Sequence, residues 1–218
     1  MRPAVALVDH PEPAEGDRMS DDALRMLELS HRTKNILSIV QALVHQTLRD
    51  DRPIEEARRT LSNRLVAMGN AVDTLLQTAW QPTSLEEIVR AGLIHSASFD
   101  GRMRVSGPPV AVGPGAAMSL SLVLHELESN AIKYGALSND KGAVDLRWTV
   151  VAGGNAPSLM IVWQERGGPP VSPPAGRGFG TRLIGTGIGR RLGGSAECRF
   201  EPEGLHWTLS APLGELAA

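Results

Sequence analysis

The stretch His125-Glu126-Leu127-Glu128-Ser129-Asn130-Ala131-Ile132-Lys133-Tyr134-Gly135 limits what this chain can become more than any other. Leu122, Val123, Leu127, Ala131 and Ile132 recur at helical spacing, so residues 115–134 are expected to form a helix. Gly135 stands at its end as a stop. Glu126, Asn130 and Lys133 fall at i, i+4 and i+7, placing a carboxylate, an amide oxygen and an ammonium on one face. A hard cation such as Mg²⁺ takes oxygen ligands and shares them with substrate phosphates. The lysine can meet the remaining phosphate charge. A solvated polar face on an ordinary amphipathic helix has the same spacing, so the rest of the chain must decide.

At 218 residues the chain can bury a core in one or two domains. A net charge of −2 gives no reason to expect nucleic acid or an anionic membrane as partner. The 6 histidines are scattered rather than set at zinc spacing. Cys198 is the single cysteine, so no intrachain disulfide can form and a reducing compartment is natural. No apolar run approaches the roughly 18 residues of a membrane span, and residues 4–8 are too short for a secretion signal. The expectation is a cytoplasmic protein.

Residues 1–18, rich in proline, alanine and acid, read as a flexible tail. Helical pattern starts at Ser20-Asp21-Asp22, whose side chains suit a cap, and runs to about Arg49. Asp50-Asp51-Arg52-Pro53 breaks it. A second helix over 53–80 carries Ile54, Ala57, Leu61, Leu65, Met68, Val72, Leu75 and Ala79 as an apolar seam. Two such helices cannot bury their stripes alone, so two hairpins pairing into a four-helix bundle, a homodimer, is the default expectation. Gln81-Pro82-Thr83 reads as the hinge, and Ser84 with Glu87 as a capping box opening a helix to about His95.

Beyond it the texture changes to strands at 102–106, 110–112, 143–151 and 159–163, with a turn at Asn139-Asp140-Lys141-Gly142. Residues 167–180 are dense in glycine and proline and read as a mobile lid. A helix over 181–192 and a hairpin of 195–200 with 206–211 close the chain. The fold class is α+β: a helical hairpin over 19–80, then an α/β sandwich over 84–218.

His31 lies in Ser30-His31-Arg32-Thr33-Lys34-Asn35 among polar neighbours, where an exposed imidazole is near-neutral and its unprotonated nitrogen can attack phosphorus. Glu28, three residues earlier on the same face, can hold the other ring N–H and fix the tautomer. Trp163-Gln164-Glu165-Arg166-Gly167-Gly168 ends a strand with a carboxylate able to accept from an exocyclic amine. The paired glycines let backbone pass close to a flat ring. Gly178-Phe179-Gly180 precedes a helix start, where free N–H groups suit phosphate.

In order, the chain shows His-Arg-x-Lys-Asn, His-Glu-Leu-x-x-Asn-Ala-x-Lys-Tyr-Gly-Ala-Leu-Ser, Trp-x-Glu-x-Gly-Gly-Pro-x-Val and Gly-Phe-Gly-x-x-Leu-Ile. Over residues 20–213 this resembles the HWE/HisKA_2 class of bacterial sensor histidine kinases, named for a histidine, tryptophan and glutamate that match His125, Trp163 and Glu165. The resemblance implies a dimerisation and histidine-phosphotransfer hairpin joined to a GHKL, Bergerat-type ATP-binding domain. It implies His31 as phosphoacceptor, Asn130 and Glu126 at the Mg²⁺, Lys133 at the phosphates and Glu165 at the adenine amine. Tyr134, Gly167, Gly168, Gly178 and Gly180 complete the nucleotide-binding set, the last two cradling phosphate. ATP and Mg²⁺ are the implied cofactors, and a response regulator receiver domain the implied partner.

Two departures stand out. Orthodox kinases carry an acid directly after the phosphoacceptor, whereas Arg32 stands here, which makes Glu28 the candidate orienting group. Ser129 replaces the more usual threonine and keeps the hydroxyl. About 20 residues precede the hairpin, so the signal is expected from a separate sensor protein or from a sensor domain on a longer chain. The alternative is a phosphotransfer or scaffold protein of this shape that binds no ATP.

Overall fold

The computed structural model describes residues 15–49, 53–93, 101–153, 156–171 and 179–217. Within these, the side chains of residues 15–25, 28, 29, 31, 32, 46, 49, 179 and 181 lie outside the description. The chain divides into two compact units that part between His45 and Gln46. Among the described residues no helix is long and apolar enough to cross a membrane.

The first unit is the greater part of helix α1, Glu15–Arg49. It begins inside the stretch expected to be tail. Ile36, Ile39 and Val40 are half-buried, while Met26, Leu27 and Leu37 are exposed.

The second unit opens with the end of α1 and with α2, Ile54–Gln77, capped by Pro53 in extended conformation. Its buried face is Ala57, Arg64, Ala67, Met68, Ala71 and Leu75. Ala57, Met68 and Leu75 of the expected seam are in it, with Leu61 and Val72 half-buried beside it; Ile54 and Leu65 are exposed, and Arg64, Ala67 and Ala71 are buried as well. Small alanines let α2 approach the helices it packs against closely. The helix stops three residues before Trp80, because Ala79 and Trp80 take positive φ of 49° and 61°. The Trp80 N–H then reaches back to the Leu75 carbonyl at 2.7 Å, which satisfies one of the helix-end acceptors.

Of the expected hinge, Gln81 and Pro82 are exposed. Thr83 is buried, and strand β1, Thr83–Ser84, pairs antiparallel with β3, Ala111–Val112. Helix α3, Leu85–Gly92, carries the expected capping box: Ser84 Oγ accepts from the Glu87 N–H, and the Glu87 carboxylate accepts from the Ser84 N–H. Thr83 Oγ1 also donates to Glu87 at 2.6 Å. That hydroxyl, foremost, and then the two groups of Ser84 hold the Glu87 carboxyl below its ordinary value. Of the helix expected to reach His95, residues 94–100 lie outside the description.

Helix α4, Pro114–Lys133, begins with proline at its first turn and is buried continuously from Ala116 to Glu128. Helices α2 and α3 both pack on it. Gly135 does not end it by adopting a left-handed conformation; its φ is −109°. A 3₁₀ turn, Ala136–Ser138, leads to an Asn139 whose Oδ1 accepts from the N–H groups of Lys141 and Gly142, the expected turn.

The sheet has five strands in the order β2-β4-β5-β7-β6: β2 Met103–Ser106, β4 Ala143–Val151, β5 Ser158–Arg166, β6 Ser195–Glu201 and β7 Gly204–Pro212. Strands β2 and β4 are parallel and the other pairs antiparallel. Alternation puts Val144, Leu146 and Trp148, Leu159, Ile161, Trp163 and Glu165, and Leu205, Trp207, Leu209 and Ala211 on one buried face. Leu146, Trp163, Trp207 and Cys198 form one row across it. Burial, and to a lesser degree the charge of Glu197, push the Cys198 thiol up to about 11, so it stays protonated.

Between β5 and β6 the expected single helix is broken. Helix α5, Phe179–Arg182, runs into a π-helical turn, Leu183–Gly187, and then α6, Ile188–Arg191. Gly185 leaves helical geometry at ψ −128°, and both the Trp207 indole and the Cys198 thiol donate to the Ile184 carbonyl. A short helix, α7 (Leu213–Leu216), ends the described chain, and its Leu216 carbonyl accepts from the Gly113 N–H ahead of α4.

Candidate functional site

The last turns of α4 and the end of β5 meet around one buried carboxylate. Glu165 is the final inward-facing residue of β5 and is 3% exposed. The Ala136 N–H donates to its Oε2 at 2.8 Å, and Trp163 Nε1–H, two residues earlier on the same face, donates to Oε1 at 3.1 Å. Burial pushes the Glu165 carboxyl above its ordinary range, and these two donors pull it part of the way back. Each carboxylate oxygen offers two lone-pair directions, so acceptor capacity remains beyond these bonds.

Gly135 is what makes this approach possible. A Cβ on it would lie 2.0 Å from Glu165 Oε2 and 3.0 Å from the Ala131 Cα, closer than packed atoms can stand. Gly168 packs as tightly on the other side of the 3₁₀ turn, where a Cβ would lie 2.6 Å from the Ala136 Cα. Gly167 takes φ +71° and its carbonyl accepts from Asn139 Nδ2.

Further along α4, Asn130 is half-buried, Lys133 exposed and Tyr134, the C-terminal cap residue, exposed. Glu126 is buried, one turn before Asn130. Its carboxylate is taken by Arg64 of α2, Nε to Oε1 at 2.6 Å and Nη2 to Oε2 at 3.0 Å. Arg64 Nη1 also donates to Thr47 Oγ1 at 2.8 Å. Gly180 sits in the first turn of α5 and faces Glu126, with an added Cβ 2.5 Å from Oε2.

The structure thus brings Asn130, Lys133, Tyr134, Glu165, Gly167 and Gly168 to one end of α4, and Glu126 and Gly180 together a turn or two away. Glu28 and His31 are helical residues of α1, with side chains outside the description, and Gly178 lies outside it altogether. Sequence reading missed Arg64, Thr47 and the part played by Trp163 as donor. An arginine within the apolar seam, three residues after Leu61 and next to Leu65, was the one available signal for the first.

This arrangement, a helical layer over a mixed sheet, matches the fold of solved histidine kinase domains. The histidine kinase domain of the Erythrobacter litoralis blue-light-activated histidine kinase EL346 superposes with a TM-score of 0.58 at 17% identity, covering 83% of this chain and 98% of that one. A longer structure of the same kinase gives the same TM-score at 20% identity, with 95% of this chain and 63% of that chain covered.

Residues 28–109 match the HWE histidine kinase family. A blue-light-activated histidine kinase of Brucella anthropi is 38% identical over 195 residues, which is 89% of this chain. The Brucella ovis protein of that name is 35% identical over the same length. Residues 28–109 thus carry the pattern of the HWE histidine kinase family, and the wider chain is similar to blue-light-activated histidine kinases. It spans 40% of the length of these curated relatives.

Proposed function

We propose that the chain is the catalytic region of a two-component histidine kinase, which phosphorylates His31 from Mg·ATP and passes the phosphoryl group to an aspartate of a response regulator. The observation that carries this reading is the buried Glu165, wedged against Gly135 and held by the Ala136 and Trp163 N–H groups. A phosphotransfer or scaffold protein that binds no ATP has no use for a buried carboxylate with spare acceptor capacity, whose desolvation costs stability.

The residues present fit an adenine nucleotide with a divalent cation. Glu165 would accept from the exocyclic amine, and the absence of a Cβ at Gly135 lets the turn after α4 come close enough to hold that carboxylate. Asn130, half-buried, offers an amide oxygen to the metal ion, and Lys133 an ammonium to the phosphates. Bound Mg²⁺ supplies neutralisation of phosphate charge. Positioning and charge neutralisation are most of what phosphoryl transfer requires of a protein. His31 would attack with its unprotonated ring nitrogen, so that a P–N bond forms as the P–O bond to ADP breaks. Glu28, three residues earlier on α1, would hold the other ring N–H and stabilise the positive charge growing on the ring.

Exposed Ile54, Leu65, Val66 and Leu76 on α2, and Met26, Leu27 and Leu37 on α1, support a helical interface with a second copy. Input would come from a separate sensor protein or from a sensor domain on a longer chain. Incubation with γ-labelled ATP and Mg²⁺ tests the reading: the label should be acid-labile and base-stable, as phosphohistidine is. An acid-stable label, or none, would leave a different activity.

A further inference from the structure

The Arg64–Glu126 pair supports an inference that rests on Glu126 being a metal ligand and goes beyond it. Three helices of the second unit converge on this pair. Arg64 comes from α2 and is 3% exposed, Glu126 comes from α4, and Gly180 of α5 closes over the carboxylate. The guanidinium engages both Glu126 oxygens in a two-pronged, charge-assisted geometry, the strongest a carboxylate makes with a side chain. Its third nitrogen is fixed by Thr47 at the end of α1.

A divalent cation would need the same oxygens. It would also stand within a few ångströms of a guanidinium that never loses its charge. Out of bulk water, like charges at that range repel strongly. The two occupants of Glu126 therefore exclude each other. Rotating Arg64 alone does not resolve the conflict, since a guanidinium left inside the fold without its carboxylate is strongly unfavourable. Release requires α2 to shift on α4.

We propose that Arg64 is a positioning residue of the kinase: it holds Glu126 in a resting position that refuses the metal ion, and Glu126 engages the metal only when α2 lets go. Metal affinity and the docking of α2 on α4 are then two sides of one equilibrium. Whatever moves α2 changes metal binding, and metal binding loosens α2 by the same factor.

The test is a titration of the whole chain with a non-hydrolysable ATP analogue, in Mg²⁺ and in EDTA, for wild type, Arg64→Gln and Glu126→Gln. Arg64→Gln should tighten the Mg²⁺-dependent part of the affinity by about 5- to 150-fold, the usual span of such couplings, and leave affinity in EDTA unchanged. Glu126→Gln should lose most of the Mg²⁺ dependence. If Glu126→Gln keeps it in full, Glu126 is not a metal ligand and the proposal goes with that reading. If Glu126→Gln loses it while Arg64→Gln binds no tighter, the hold by Arg64 alone is refuted. Hydrogen exchange on the wild-type chain needs no substitution. Analogue with Mg²⁺, but not analogue with EDTA, should speed exchange of α2 amides around Arg64, and equal rates would overturn the proposal.

Discussion

Replacing Trp163 by phenylalanine separates the packing role of that side chain from its service to Glu165. Trp163 is fully buried in the middle of the sheet, across from Leu146 and Trp207, so a phenyl ring keeps most of its contacts. What disappears is the indole donor 3.1 Å from Glu165 Oε1. A hydrogen bond to a charged acceptor contributes about 1.5–3 kcal/mol. The space left by the lost pyrrole ring adds about 1 kcal/mol, at roughly 24 cal/mol per Å³ of cavity. The sum, about 2.5–4 kcal/mol, should lower Tm by roughly 5–15 °C in a chain of this length. A second signature distinguishes this from a generic core defect. Burial pushes the Glu165 carboxyl up and the Trp163 hydrogen bond pulls it down, so the variant should protonate at higher pH than wild type. Affinity for an adenine nucleotide, which needs the ionised acceptor, should then be lost at a higher pH as the medium is acidified. Calorimetric unfolding with nucleotide titrations across pH measures both. A Tm within about 2 °C of wild type, or superimposable pH profiles, would refute the claim that the indole sustains Glu165.

Four further outcomes are expected. His31→Ala should abolish labelling and His45→Ala, an exposed residue on the same helix, should retain it; the reverse pattern would move the phosphoacceptor to His45. Glu28→Gln should slow autophosphorylation by roughly ten- to a thousandfold at saturating ATP with nucleotide affinity unchanged, and a wild-type rate would remove Glu28 from the chemistry. Glu165→Ala and Asn130→Asp should each weaken Mg·ATP by roughly ten- to a hundredfold with the fold intact, and unchanged affinity in Glu165→Ala would put adenine elsewhere. Because Glu165 titrates above its unfolded value, its share of stability is complete below that unfolded value and is lost as pH rises through the folded one. In urea unfolding, wild type should therefore lose stability relative to Glu165→Gln as pH rises from acid towards neutral; a relative gain would contradict the sign.

What the sequence made legible was local. The periodicity of α4, the alternation of β4, the capping box at Ser84 and the Asn139 turn each depend on residues within a few positions of one another. What it hid depends on partners far along the chain. The buried face of α2 is chosen by α3 and α4, so Ala57, Met68 and Leu75 of the expected seam are buried, Leu65 is not, and Arg64 went unseen. Gly135 reads locally as a helix stop, yet its lack of a Cβ serves Glu165, thirty residues on. The π turn at Leu183–Gly187 is likewise a long-range effect, its Ile184 carbonyl captured by Trp207 and Cys198 of neighbouring strands.

Two of the buried carboxylates near α4, Glu165 and Glu126, are stabilised by opposite means, and the difference bears on how the proposed kinase would take up its nucleotide. Glu165 is held by two neutral N–H donors, which leave lone pairs open and bring no competing charge. A donor such as an exocyclic amine can add to it with no group displaced. Glu126 is held by a guanidinium, which makes one bond to each oxygen and neutralises the charge a cation would seek. On the proposed reading the base-recognition end would be preformed, whereas the metal end would have to exchange a partner before it could work. Binding energy gained at Glu165 is available to offset that exchange, which makes adenine docking the natural first event and withdrawal of Arg64 the second. A site built this way could hold nucleotide while α2 stays docked on α4, so that occupancy by nucleotide and engagement of the metal ion would be separate steps.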